Sequence, residues 1–327
     1  VEESRALKDN YNRAIDYLRI SVTDRCNLRC IYCMPEEGVK FIPCSKILRY
    51  EEIVRLSDIF IEMGIRKIRI TGGEPLLREN ILFLIRELGK KPVDELVLTT
   101  NGILLSRFAE RLLQSGVKRV NVSLDSLNRE TFRAVTRHDG LGEVLRGVEE
   151  ARQAGLLLKI NVVAMRGIND EEFLDFVQFG LQRNLPLRFI EVMPQFYSEA
   201  VVQKRFIGAE DILERIRKKH RVTPLESRVP GSVERLYRID KTDFQFGIIG
   251  AITEPFCSRC NRVRLMANGI VKTCLFGPEG PNLKTMLLEG ATENDIKKAI
   301  RAVIMEKPEK HSLDESSGDL VMHKVGG

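Results

Sequence analysis

From Tyr17 to about Met193 the sequence alternates short apolar runs with amphipathic stretches, and this alternation limits the fold more than any other feature. Runs at Tyr17–Val22, Lys67–Thr71, Glu95–Thr100, Arg119–Leu124, Leu156–Ala164 and Leu187–Met193 are rich in Ile, Val and Leu and predict strands. Helical spacing fills the intervals. Glu79–Leu88 places Ile81, Leu82, Ile85 and Leu88 before a stop at Gly89; Ser106–Ser115 ends at Gly116, and Gly142–Ala154 at Gly155. Asn169 followed by Glu172 resembles a capping box opening a helix through Leu181. Buried strands joined by crossover helices require a parallel sheet with helices outside it. Six such units are too few for a closed eight-fold barrel, so the predicted fold is α/β, a partial (βα)6 TIM-like barrel, with a flat doubly wound sheet as its competitor. Both architectures place chemistry at the carboxyl ends of the strands.

After Met193 the texture changes. A helix carrying Ile212, Leu213 and Ile216 is followed by strand-like pieces at Val233–Ile239, Phe244–Ile249 and Val263–Met266. A turn at Asn268-Gly269 and a last helix from Thr292 to before Pro308 complete this part. The expected organisation is a barrel over 1–195, a smaller mixed region over 196–308 completing the barrel mouth, and a loosely ordered tail over 309–327 ending in Gly-Gly. With 43% apolar residues and 52 basic against 46 acidic side chains, the composition is that of a globular protein and excludes disordered, collagenous and coiled-coil classes. A net charge of +6 suits an anionic small molecule as much as a nucleic acid. No run approaches the ~18 apolar residues of a membrane span, and the charged N-terminus does not read as a signal peptide. A reducing cytoplasm is the expected location.

Seven cysteines, an odd number without a secretory segment, do not form a disulfide framework. Cys26, Cys30 and Cys33 lie together directly after the first strand; Cys257, Cys260 and Cys274 form a second triplet; Cys44 stands apart as an ordinary thiol. Soft thiolates so close in sequence select an iron-sulfur cluster or zinc. Closed sites generally take four ligands, so three thiolates leave an open metal position of the kind a reactive site keeps for its substrate. A structural zinc loop with a remote fourth ligand is the alternative. For the second triplet, none of His138, His220, His311 and His323 lies inside the segment, so a zinc site of three cysteines and one histidine lacks an obvious fourth ligand. Arg259, Arg262 and Arg264 surround that triplet and suggest an anionic ligand, because guanidinium groups pair with phosphate. No G-x4-G-K-[ST] loop occurs, so side chains would have to hold a phosphate, with Arg19, Arg69 and Lys159 contributing from the barrel strands.

The C-x3-C-x2-C arrangement with Tyr32 before its last cysteine, and Gly72-Gly73-Glu74-Pro75 after the second strand, resemble the radical S-adenosylmethionine (SAM) superfamily. The resemblance implies a 4Fe-4S cluster on Cys26, Cys30 and Cys33 whose open iron binds SAM. It also implies a SAM site lined by Tyr32, Gly73, Glu74, Ser123 and Met193, with the glycines allowing close approach to the ligand and Glu74 lying near its ammonium group. The second triplet, spaced C-x2-C-x13-C, and the terminal Gly326-Gly327 extend the resemblance over nearly the whole chain, from about Asn10, to the GTP 3′,8-cyclases of molybdenum-cofactor biosynthesis. In that family a second 4Fe-4S cluster, here on Cys257, Cys260 and Cys274, anchors the purine. Arg19, Arg69, Thr100, Lys159, Arg262 and Arg264 would bind GTP, and Arg262, Arg264, Gly326 and Gly327 would act in catalysis, the tail entering the active site.

The reaction so implied begins with one-electron cleavage of SAM to a 5′-deoxyadenosyl radical, which takes the 3′ hydrogen of GTP. The ribose carbon then attacks C8 of guanine. The implied partners are GTP, an electron donor and a downstream cyclic pyranopterin synthase, with no nucleic acid and no membrane; the resemblance leaves room for a homodimer. Two rivals compete with this reading. A radical SAM peptide maturase also carries an auxiliary cluster, although such proteins commonly need more than three additional thiols. A zinc-stapled nucleic-acid-binding module would use the basic surplus but gives Gly72-Gly73-Glu74-Pro75 no task.

Overall fold

The computed structural model describes residues 7–35, 38–193, 204–226 and 231–311. The six expected strands form as β1 (Tyr17–Ser21), β2 (Lys67–Thr71), β3 (Glu95–Thr100), β4 (Arg119–Ser123), β5 (Leu157–Ala164) and β6 (Leu187–Glu191). They pair consecutively and in parallel. Five more follow: β7 (Val222–Leu225), β8 (Arg235–Ile239), β9 (Gln245–Ile249), β10 (Arg262–Leu265) and β11 (Val271–Lys272). One sheet of eleven strands results, in the order β11-β10-β1-β2-β3-β4-β5-β6-β9-β8-β7. The sheet does not close on itself. Instead the later strands extend both edges of the parallel core, β10 running parallel beside β1 and β9 parallel beside β6.

The helices between the parallel strands are α1 (Tyr50–Glu62), α2 (Ile81–Gly89), α3 (Ala109–Gln114), α4 (Arg129–Thr136), α5 (Leu141–Gln153) and α6 (Phe173–Arg183). Beyond β6 come α7 (Ala209–Arg217), α8 (Leu283–Leu288) and α9 (Glu293–Met305). The last opens as its sequence predicts: Thr292 accepts from the Asp295 amide while Asp295 accepts from the Thr292 amide. Asn169 does not cap α6. Its amide side chain instead donates to the carbonyls of Asp125 and Val163, and its oxygen accepts from the Met165 amide, tying the ends of β4 and β5 together. Gly89 is the last residue of α2 rather than a stop beyond it; an added Cβ there would stand 2.2 Å from the Ser115 carbonyl oxygen.

The strands are not apolar throughout. Leu18 and Ile20, Ile68 and Ile70, Leu96 and Leu98, Val120 and Val122, Ile160 and Val162, and Leu187 and Phe189 are buried in the main core. The alternate positions carry Tyr17 and Arg19, Lys67 and Arg69, Thr99, Arg119, Ser123, Asn161 and Arg188, and these line a cavity on the other face. A strand's side chains alternate with period two, so each strand sends aliphatic groups to one face and polar groups to the other. A closed eight-fold barrel fills its interior with branched side chains. This open sheet instead lines a cavity with polar side chains on that face.

Candidate active site

The cavity measures about 360 Å³, within the range of small-molecule sites, and receives both cysteine triplets. Cys26, Cys30 and Cys33 lie on the loop leaving β1, at the carboxyl edge of the sheet. Cys257 and Cys260 flank a short turn before β10, and Cys274 follows β11. All six are free and partly buried, whereas Cys44 is exposed, outside the cavity, and accepts a 3.2 Å contact from Arg25 Nη1.

The first loop is held by the turn after β2. Gly73 N donates to the Thr23 carbonyl at 2.7 Å and Glu74 N to the Arg25 carbonyl at 2.8 Å. A Cβ on Gly73 would stand 2.3 Å from the Arg25 carbonyl oxygen, and one on Gly72, whose φ is +158°, would stand 2.7 Å from that of Thr23. The close approach that these glycines permit is therefore first of all to the cysteine loop itself. Glu74 stands behind the cavity wall. It is fully buried and absent from the cavity wall. Its Oε1 accepts from Leu76 N at 3.0 Å and from Thr100 Oγ1 at 2.8 Å, and its Oε2 from Asn101 N at 2.7 Å, so it ties the end of β2 to the end of β3. Burial raises its carboxyl to about 7, against these three bonds. Thr100 lines the cavity but directs its hydroxyl to Glu74.

Tyr32, Gly73, Ser123 and Met193 do line the cavity. Tyr32 donates a 2.6 Å bond to Asp125 Oδ2, while Asp125 Oδ1 accepts from Val163 N at 2.8 Å. Burial lifts the Asp125 carboxyl to about 6 despite these donors.

The three arginines expected from separate parts of the sequence meet through strand register. Arg264 on β10, Arg19 on β1 and Arg69 on β2 are direct neighbours across the sheet, as are Arg262, Tyr17 and Lys67 one step earlier. Burial, then Arg264, hold Arg19 well below the ordinary guanidinium range, and burial and Arg262 bring Arg264 down to about 10. Buried like charges side by side are costly, and a polyanion removes that cost. Arg262 Nε is buried without a hydrogen-bond partner, with its guanidinium 5.2 Å from the Phe256 ring centre and 5.8 Å from that of Tyr17. Arg69 donates to Thr99 Oγ1 at 3.0 Å and to the Tyr17 hydroxyl. Burial alone would raise the Tyr17 phenol, but Arg69, Arg19, Arg262 and Lys67 outweigh it and bring it to about 8. Lys159 reaches the site through Glu234, to which it donates at 2.8 Å.

The second triplet has neighbours that sequence order concealed. His311 Nδ1 stands 3.1 Å from Cys257 Sγ although the two are 54 positions apart, and its ring stacks on Phe276 at 4.6 Å. No histidine lies inside the segment, as expected, but the fold brings one to it from outside. Arg13 donates to the carbonyls of Cys257 at 2.7 Å, Pro308 at 2.7 Å and Glu309 at 3.0 Å, joining the N-terminal arm, the cysteine turn and the start of the tail. Buried Lys307 donates to the Arg262 carbonyl at 3.0 Å and to that of Thr273. Burial opposes ionisation of Cys260, but Lys307 and Arg262 outweigh it and lower the thiol. Gly326 and Gly327 lie outside the described residues.

As the side chains stand, no group of three or more His, Cys, Asp and Glu among the described residues forms a metal-ion site. The donor set and its surroundings nevertheless suit a cluster. Burial and Glu74 push the Cys26 thiol to about 11, and burial with Cys33 pushes Cys30 well up, so these thiols ionise only beside a cationic centre. Leu28 N and Asn101 Nδ2 already point at Cys26 Sγ, at 3.4 and 3.6 Å, as donors to a ligated sulfur do.

Tyr17, Asn161, Arg188 and Glu234, which no motif singles out, also line the cavity. The alternation of polar and apolar residues along β1, β5 and β6 is the available signal for the strand residues. Nothing local marked Glu234.

Residues 20–180 match the family model of the radical SAM superfamily, and residues 185–313 match that of Molybdenum Cofactor Synthesis C. The GTP 3′,8-cyclase of Desulforamulus reducens is 46% identical over 323 residues, covering 98% of this chain and 99% of that one. The GTP 3′,8-cyclase of Thermodesulfovibrio yellowstonii is 45% identical over 326 residues, covering 98% and 100%. The crystal structure of Streptococcus suis SuiB bound to S-adenosylmethionine shares the fold, with a TM-score of 0.61 at 15% identity over 94% of this chain and 77% of that one. A radical SAM sheet whose inner face carries an arginine row and a second cysteine triplet, in a chain matched from end to end, places this protein in the GTP 3′,8-cyclase family of the radical SAM superfamily.

Proposed function

We propose that the enzyme converts GTP to 3′,8-cyclo-7,8-dihydro-GTP, an early step of molybdenum-cofactor biosynthesis. The single observation that carries this reading is one cavity shared by two cysteine triplets and the Arg264–Arg19–Arg69 row. When bound, SAM and the cluster on Cys26, Cys30 and Cys33 supply a hydrogen-abstracting carbon radical, and the cluster on Cys257, Cys260 and Cys274 supplies an open iron for the purine. The chain itself positions. Tyr32, held by Asp125, and Gly73, Ser123 and Met193 form the wall beside the first triplet. Glu74, a SAM-site residue in this reading, braces the ends of β2 and β3 beside that wall. Arg19, Arg69, Arg262 and Arg264 line the cavity and offer charge-assisted bonds to a triphosphate, Lys159 stands behind Glu234 for the same task, and Thr100 closes the wall near Asn101. Holding the ribose and the base in one rigid cavity replaces a bimolecular encounter with a fixed approach.

An electron donor, a cyclic pyranopterin synthase that takes the product, and a cytoplasmic setting complete the proposal; no helix among the described residues is long and apolar enough to cross a membrane. The tail with Gly326 and Gly327 belongs to the catalytic assembly in this reading, as does a division into a barrel over 1–195, a second-cluster region over 196–308 and the tail over 309–327. The direct test is anaerobic reconstitution with iron and sulfide, then incubation with SAM, GTP and a reductant. Protein carrying about eight irons per chain that yields neither 5′-deoxyadenosine nor a cyclised nucleotide overturns the proposal. Because Cys257 has His311 beside it, a site of three cysteines and one histidine for zinc is a specific second reading of the second triplet. About four irons and one zinc per chain would establish it.

A further inference from the structure

Among the described residues the cavity wall is rich in cations and carries two carboxylates, Asp125 and Glu234. Asp125 is engaged by Tyr32 and the Val163 amide. Glu234 is different, because both of its partners are cations, Arg188 within the cavity lining and Lys159 behind it. Its Oε1 accepts from Lys159 Nζ at 2.8 Å and its Oε2 from Arg188 Nε at 2.5 Å. The three side chains are buried to a similar degree, at 9% exposure for Glu234 and 14% for each cation.

The fold makes room for this carboxylate. Gly247 on β9 is the register partner of Arg188 on β6, and a Cβ at Gly247 would stand 2.6 Å from Glu234 Oε2. Glu234 itself lies just before β8, outside the strand ladder, after Gly231 with φ +68°. It is therefore a side chain reaching from a connecting segment into a cationic pair, with one oxygen on each cation, as two oxygens of a phosphate would be.

We infer that Glu234 is an internal stand-in for a substrate phosphate, occupying Lys159 and Arg188 until a polyphosphate displaces it, and so sets how many phosphates a nucleotide needs in order to bind. The inference rests on the reading of GTP as substrate. Two buried cations left without any counter-charge are costly, so the ligand-free enzyme gains from Glu234. A nucleoside or monophosphate brings too little charge to replace that carboxylate as well as satisfy the arginine row, whereas a triphosphate does both. The result is discrimination by competition rather than by shape.

The test uses the full chain loaded with both clusters, as wild type, Glu234→Gln and Gly247→Ala, the last acting by crowding the carboxylate off Arg188. Dissociation constants for GTP, inorganic triphosphate and guanosine are measured without oxygen. The expected result in both variants is about tenfold tighter GTP and triphosphate, about 1.4 kcal/mol, with guanosine unchanged and KM for GTP falling without a rise in kcat. A purely structural role predicts the opposite sign. GTP bound no more tightly than by wild type in either cluster-loaded variant, or guanosine tightened equally, overturns the inference. In the wild type, a structure with inorganic triphosphate bound should show Glu234 off both cations; triphosphate bound with both ion pairs intact also overturns it. Wild-type protein that carries its clusters and binds no GTP would instead overturn the substrate reading beneath it.

Discussion

Replacing Gly73 by alanine tests whether the turn after β2 serves the first cysteine loop, as its geometry requires. The new Cβ would stand 2.3 Å from the Arg25 carbonyl oxygen, 2.6 Å from its carbon and 2.9 Å from the Asp24 carbonyl oxygen. All three are backbone atoms, so no rotamer change relieves the contact; the loop or the turn must move by about 1 Å to reach ordinary van der Waals distance. That movement pulls on two backbone bonds, Gly73 N to Thr23 O and Glu74 N to Arg25 O. Overpacking typically costs about 1–3 kcal/mol and each lost bond about 0.5–1.5 kcal/mol, so the variant should lose about 2–6 kcal/mol, roughly 3–9 °C in Tm for a chain of 327 residues. Because Arg25 directly precedes Cys26, the same displacement should lower the iron retained by the first triplet and weaken SAM binding, while the second triplet keeps its metal. Gly142→Ala is the control, since a Cβ there meets nothing within 4 Å and lies in α5, where alanine is the better helix former. Calorimetry, iron analysis and SAM titration on the three proteins decide the matter. A Gly73→Ala protein with wild-type Tm, iron content and SAM affinity would refute the reasoning.

Arg264→Gln should weaken GTP binding about 10–100-fold by removing a charge-assisted contact; an affinity equal to that of the wild type in anaerobic titration contradicts this. Lys159, lowered to about 8 mainly by burial and then by Arg188, loses a positive charge as pH rises, and Tyr17, brought to about 8 against burial by its cationic neighbours, gains a negative one. Accordingly kcat/KM should fall above about pH 8, less steeply in Tyr17→Phe; a flat profile between pH 7 and 9 contradicts this. Glu191 is fully buried and accepts from Ala209 N and Ile252 N at 2.8 Å and from Thr253 N at 3.0 Å, so Glu191→Gln should cost about 2–4 kcal/mol in thermal or denaturant unfolding. His311→Ala should alter the electron paramagnetic resonance signal of the second cluster and leave the first unchanged; identical spectra would separate His311 from that centre.

The strand and helix periods, the two cysteine triplets and the Gly72-Gly73-Glu74-Pro75 turn were legible in the chain itself because each is local. Periodicity within a few residues marks an element, and spacing within one loop marks a donor set. Strand positions such as Lys67–Thr71 and Glu95–Thr100 come out unchanged in the structure, and so does the Thr292 cap. The tasks of particular side chains were less legible. Glu74 reads as a ligand group from its motif, and nothing in the motif foretells the three donors that converge on it behind the cavity wall. Asn169 reads as a helix cap, but its partners are the ends of two strands. Register across strands alone decided that Arg264, Arg19 and Arg69 stand in one row. Chain folding alone brought His311 to Cys257, and Glu234 between Lys159 and Arg188. Sequence determined which chemistry the protein carries, since donor type and local spacing are properties of short segments. Only the tertiary structure decided which charges face one another, because hydrogen-bond and ion-pair partners are chosen by distance in space, and β10 reaches β1 from the far end of the chain.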